Sequence, residues 1–109
     1  MQAYLINPET KAVETVEIGG EDDEILEILD ASAIGEVWGG ELDARILVEA
    51  EAGADPFRLD VFQLDGWREP LTGRALVVGG DLDAPIAPAT VPLAAIKRRL
   101  RFPETMCGM

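Results

Sequence analysis

The stretch Ala75-Leu76-Val77-Val78 decides the fold of this chain, because four apolar residues follow one another without a polar residue between them. Side chains alternate between the two faces of a strand, so an unbroken apolar strand needs cover on both faces. Gly79-Gly80 follows at once and marks the end of the run. We therefore predict a strand at the centre of a sheet, with Leu76, Val77 and Val78 inaccessible to solvent.

The chain before this strand predicts a hairpin and a helix. Residues 2–6 and 12–18 have the composition of strands, and the turn sequence Asn-Pro-Glu-Thr over 7–10 separates them, so the two should pair as a hairpin. Residues 21–29 then place apolar side chains at helical spacing, with acidic side chains in the first turn, where the helix dipole favours them. We expect this short amphipathic helix to cover the sheet.

The middle of the chain predicts three further strands. Residues 33–38 form one candidate, and residues 45–50 and 57–64 show the alternation of a half-buried strand. The connector between the last two, over 51–56, is rich in turn residues. A connector of this kind joins antiparallel neighbours, so we predict that the strands over 45–50 and 57–64 pair with each other.

The C-terminal part predicts a second helix. Thr90 can cap it and Pro92 suits its first turn, with an inward stripe formed by Leu93, Ile96 and Leu100. Together the elements predict one α+β domain over residues 1–102, with an antiparallel or mixed sheet of about five to six strands and two helices packed on one face. Residues 103–109 form a C-terminal tail that could be disordered.

Charge is the most unusual global property. The chain has 21 acidic and 9 basic residues, a formal net charge of -12. A field of this sign disfavours direct binding to nucleic acid or to anionic membranes and steers the chain toward basic partners. The distribution is uneven, because residues 97–109 carry 4 of the 9 basic residues and only 1 acidic residue. We expect a local basic patch there, formed by Lys97, Arg98, Arg99 and Arg101.

Cysteine content points to a reducing compartment. Cys107 is the single cysteine, so no disulfide can form within the chain. No stretch approaches the roughly 18 apolar residues of a membrane span, and the first residues lack the basic start of a secretion signal. We expect a cytoplasmic protein, in which Cys107 would be reactive only if the nearby arginines lowered its pKa.

Most residue patterns that carry enzyme chemistry are absent from the sequence. Histidine is missing, which removes the commonest general base and metal ligand, and no glycine spacing typical of nucleotide binding occurs. The segment Gly79-Gly80-Asp81-Leu82-Asp83 could turn two carboxylates toward one cation, but it lacks the central Gly and distant Glu of a calcium loop. We expect Asp81 and Asp83 to lie in an ordinary turn, no cofactor, and a binding protein rather than an enzyme.

Two segments are candidate interfaces. Trp67 and Arg68 lie in a turn-rich loop, and a tryptophan in such a loop can anchor a partner. The first helix could present a face of carboxylates to a basic partner, formed by Glu21, Asp22, Asp23, Glu24 and Glu27. The helix dipole and solubility explain the same cluster without any partner, so the arrangement of the acids in space decides between the two interpretations.

Three segments carry a resemblance to a known group of proteins. They are the opening Ala3-Tyr4-Leu5-Ile6-Asn7-Pro8, the strand over 13–18, and Pro70-Leu71-Thr72-Gly73-Arg74-Ala75-Leu76-Val77-Val78-Gly79. On these the chain resembles a family of small uncharacterised proteins encoded by phages and mobile elements. The resemblance implies a fold and an origin but no catalytic residues, and it does not extend to the acidic helix or the Pro-rich loop.

The sequence supports three hypotheses for function. The first is a non-enzymatic acidic protein that binds a basic or nucleic-acid-binding host protein, for example as an inhibitor of host defence whose carboxylates take the place of phosphates. The second is a carboxylate-based small-ligand or divalent-cation binder, or an enzyme, that uses Asp81 and Asp83. The third is a structural subunit that associates with further copies of itself.

Overall fold

A computed structural model describes residues 1–38, 44–50, 61–67, 71–81 and 84–102. In chain order the elements are β1 (Gln2–Asn7), β2 (Ala12–Glu17), α1 (Asp22–Leu29), β3 (Ile34–Trp38), β4 (Arg45–Glu49), β5 (Val61–Leu64), β6 (Leu71–Thr72), β7 (Ala75–Val78), α2 (Leu93–Arg99) and β8 (Leu100–Arg101).

The central sheet has five strands in the order β2-β1-β7-β4-β3, and each neighbouring pair is antiparallel. The predicted α+β class and the predicted hairpin of β1 and β2 are confirmed. The middle strand is β7, between β1 and β4, and all four of its side chains are buried. Leu76 lies opposite Leu5 of β1 and Leu47 of β4. The apolar run is therefore the central strand that its sequence predicts.

The two helices cover opposite faces of this sheet. Ala75 and Val77 belong to one buried cluster together with Ile96 of α2. Leu76 and Val78 belong to a second cluster, which also contains apolar side chains of α1. The prediction of both helices on one face is wrong. Successive side chains of β7 point to opposite faces of the sheet and all four are apolar, so each face needs a helix or another layer to cover it.

A second, small sheet of three antiparallel strands adds to the cover on the α2 side. Its order is β6-β5-β8, and Phe62 and Leu64 of β5 pack in the same cluster as α2. The predicted pairing of β4 with β5 is wrong, because both edges of β4 are already bonded to β3 and β7. Residues 51–60, which hold the predicted connector and the start of the predicted strand, lie outside the described residues.

The second helix begins later than a cap at Thr90 would place it. Pro92, in extended conformation, is the residue that precedes the first helical turn, and its carbonyl accepts hydrogen bonds from the N–H groups of Ala95 and Ile96. Thr90 is therefore not the cap. Proline disfavours the helical conformation of the residue before it, and a cap at Thr90 would need this conformation at Val91. The predicted tail over 103–109 lies outside the described residues.

The central position of β7 predicts a large stability cost for truncation. Leu76→Ala should lower the free energy of unfolding by about 2–5 kcal/mol, because it leaves a cavity between the sheet and α1. Leu5→Ala is the matched control, since Leu5 lies opposite Leu76 on the same face but is only partly buried. Denaturant unfolding compares the two. Equal costs, or a cost for Leu76→Ala within experimental error, would contradict the central position of β7.

Candidate functional site

The two helices carry opposite charges on opposite faces of the molecule. α1 has four acidic residues and no basic residue, whereas α2 has three basic residues and no acidic one. The helices pack against the two different faces of the central sheet, so their outward charges point away from each other. We call the solvent side of the α1 layer the acidic face. It is the first candidate site.

Most carboxylates of the predicted acidic cluster are free to meet a partner. Glu21, Asp22, Asp23 and Glu27 are exposed. Glu24 differs from them, because its Oε1 accepts hydrogen bonds from the backbone N–H groups of Gly19 at 2.7 Å and Gly20 at 3.1 Å. Its carboxylate holds the chain as it enters the helix. A structural role therefore accounts for one of the five predicted residues.

Acidic residues of both edge strands also lie on the α1 side, although the charge of one of them, Glu36, is compensated by Arg45. On β2, Glu14 lies opposite Leu5, and on β3, Glu36 lies opposite Leu47. Both leucines pack in the α1-side cluster, and cross-strand partners point to the same side of a sheet. Glu14 and Glu36 therefore lie on the same side as α1. The acids do not all gather there, since Asp65 on the α2 side pairs with Arg101 at 2.9 Å.

Arg45 is a buried charge that the sequence pattern alone did not single out. It is 3% exposed, on the α1 side of β4. Its Nη2 donates to Glu36 Oε1 and, at 2.9 Å, to the carbonyl of Ala84, and its Nη1 lies 3.4 Å from the carbonyls of Gly79 and Pro85. Nε is buried without a hydrogen-bond partner among the described residues. Arg45 therefore fastens the segment after β7 to the sheet.

A signal for this role was present in the sequence. Alternation along Arg45-Ile46-Leu47-Val48 places Arg45 on the same face as Leu47, which is inward-facing. A charge on an inward face is retained only where partners compensate its desolvation. The partners themselves could not be predicted, because three of the four are backbone carbonyls of a segment more than 30 residues away.

A cleft of about 800 Å³ lies beside Arg45. Its floor comes from β3 and β4, and its walls come from the start of α1 and from residues 84–86. The charged groups that line it are of both signs. Asp22 and Glu36 are negative, and Arg45 and the N-terminal ammonium of Met1 are positive. The Met1 ammonium is already bonded to the carbonyl of Ile18. The cleft thus selects no ligand by charge.

Of the remaining predicted site residues, the structure describes Trp67 and Asp81. Trp67 is partly buried, its ring lies 5.5 Å from that of Phe62, and its Nε1 donates to the Trp38 carbonyl at 3.1 Å. Asp81 is exposed. Arg68, Asp83 and Cys107 lie outside the described residues. Within the described ranges, no group of three or more His, Cys, Asp or Glu side chains could hold a metal ion.

Comparison with known proteins gives no further information on the site. No known protein family matches the chain, and no curated protein or solved structure matches it either. The resemblance to small proteins of phages and mobile elements stays a prediction. In the part of the chain that the structure describes, no helix is long and apolar enough to cross a membrane.

The contacts of Arg45 predict a local effect of its removal. Arg45→Met should free the segment after β7, so the amides of Gly79 and Ala87, which bond to each other's carbonyls, should exchange hydrogen faster. Stability should fall by about 1–3 kcal/mol, because several hydrogen bonds of a buried group are lost. NMR-detected amide exchange measures the local effect.

Arg74→Met is the control for this variant. Arg74 donates to the carbonyl of Ile28 and is only partly buried, away from the segment after β7. Exchange at Gly79 and Ala87 should be unchanged in this control. Equal acceleration in both variants, or none in Arg45→Met, would show that Arg45 does not fasten this segment.

Proposed function

We propose that this protein is a non-enzymatic binding protein whose acidic face engages a basic surface of a partner protein. The observation that supports this most strongly is the separation of charge, with the acidic residues of α1 on one side of the sheet and the basic residues of α2 on the other. Carboxylates gathered on one face steer a basic partner and orient it, whereas the same number of scattered charges would serve solubility alone.

The partner class follows from the sign and spread of the charges. Proteins that bind nucleic acid present clustered Lys and Arg to phosphates. A rigid face of exposed carboxylates carries the same negative charge as the phosphates and can bind the same clusters. We propose a nucleic-acid-binding protein as the partner, and an inhibitor or modulator of host proteins as the biological role. The charge separation supports the choice of partner. The predicted resemblance to phage-encoded proteins supports the biological role.

A matched pair of triple variants tests the proposal. Asp22→Asn, Asp23→Asn and Glu27→Gln together neutralise the acidic face and leave Glu24 to hold the helix start. The control neutralises three acids elsewhere, Glu9→Gln, Glu17→Gln and Asp81→Asn, which are also exposed. Both variants lose the same formal charge. Only the position of the removed carboxylates differs between them.

The measurement is retention of nucleic-acid-binding proteins from a host lysate on the immobilised chain, followed by elution with salt. We expect retention by the unmodified chain and by the control, elution below about 0.5 M salt because exposed charges are screened, and displacement by an added oligonucleotide. The face variant should lose retention at least tenfold. Equal loss in both variants would mean that net charge alone binds, and no retained basic protein would contradict the proposal.

The opposite charges of the two faces favour a second candidate, in which copies associate head to tail. The α1 face of one copy would then meet the α2 face of the next, a heterologous contact. Sedimentation velocity at low salt separates the candidates. A mass that rises with concentration and falls with salt would support self-association, and a constant monomer mass would leave the partner proposal. The cation-binding alternative stays a prediction, since Asp83 lies outside the described residues.

A further inference from the structure

A small apolar groove lies on the α2 side of the molecule, away from the acidic face. Ala12 and Val13, at the start of β2, line it on one side, and Leu100 and Phe102 line it on the other. Its volume is about 320 Å³, at the lower end of the range for small-molecule sites. Lys11 and Lys97 complete the lining.

The charge of this groove is the opposite of the charge of the protein. Both basic residues that line it are lysines, and no described acidic residue lines it. Neither ammonium has an ion-pair or hydrogen-bond partner among the described residues, whereas Arg45 and Arg101 are each paired with a carboxylate. In a chain of net charge -12, two lysines that share one apolar groove without a described acidic residue form a local positive site.

We propose that this groove binds a small amphipathic carboxylate, a molecule that joins one carboxylate group to a hydrocarbon chain or ring. The apolar walls would take the hydrocarbon part, and the two ammonium groups would take the carboxylate. A second copy of the chain fits less well. Its acidic helix keeps Ile25 and Leu29 buried in its own core, so this helix would bring carboxylates without its largest apolar side chains. Insertion of its exposed Trp38 is an outcome that the mass measurement below detects.

Octanoate is the probe for this site, compared with octan-1-ol, which lacks the charge, and acetate, which lacks the chain. Two-dimensional amide NMR follows each titration. We expect octanoate to shift the amides of Val13, Leu100 and Phe102 with a dissociation constant on the order of 1 mM, the range for a ligand of this size. Octan-1-ol and acetate should bind more weakly than octanoate.

Charge variants on one helix provide the control. Lys97→Gln should weaken octanoate binding by about twofold to fivefold, the range for a partly exposed ion pair, and Lys97→Arg should retain binding. Arg98→Gln should have no effect, because Arg98 is the next residue on α2 and does not line the groove. Lys11→Asn should act like Lys97→Gln, and asparagine tolerates the positive φ of 54° at this turn.

Several results would overturn the proposal. Equal binding of octanoate and octan-1-ol would show that the lysines do not recognise the charge. An equal loss in Arg98→Gln and Lys97→Gln would show a general charge effect instead of a site. Shifts confined to residues outside the groove would place the ligand elsewhere. A concentration-dependent mass that octanoate abolishes would identify the occupant as a second copy of the chain.

Discussion

The side chains of β7 are buried on both faces of the central sheet, and the other layers are placed where they cover them. Burying an apolar strand on two faces contributes free energy only if water is excluded from each side. α1 covers one face, and α2 with the small sheet of β5, β6 and β8 covers the other. This requirement explains why a chain of 109 residues forms three layers rather than two.

The distribution of charge follows from the same requirement. Each helix turns its apolar side toward β7 and its charged side toward solvent. The acidic residues of α1 and the basic residues of α2 therefore lie on opposite sides of the central sheet. Arg45 is the exception, a charge held inside the fold. Glu36 and three backbone carbonyls compensate for its lost hydration. The proposed partner surface and the proposed carboxylate groove are thus both consequences of how the core is covered.

The parts of the fold that local sequence determines could be predicted. The hairpin of β1 and β2, the acidic first turn of α1 and the burial of β7 depend on turn residues, the helix dipole and an unbroken apolar run. The arrangement of the layers could not be predicted, because no local sequence signal determines which face of the sheet a helix covers. The supposed pairing of β4 with β5 assumed that neighbours in sequence pair, whereas β7 occupies that edge of β4. The start of α2 was predictable from the residue before Pro92.

The candidate sites divide in the same way. The acidic residues of α1 were identified from the sequence, since their cluster is local. The Trp67 contact with Trp38 and the three backbone partners of Arg45 join residues about 30 or more positions apart, so only the fold reveals them. The groove between Lys11 and Lys97 likewise depends on β2 lying beside α2, although the sequence had indicated an excess of basic residues at that end of the chain.

Methyl–methyl NOE spectroscopy shows directly whether one helix covers each face of β7. We expect cross-peaks that join Ile25 and Leu29 to the cluster of Leu76 and Val78, and cross-peaks that join Ile96 to the cluster of Ala75 and Val77. The two sets should not mix across the sheet. Cross-peaks from both helices to the same pair of β7 side chains would place the helices on one face and rule out the three-layer arrangement.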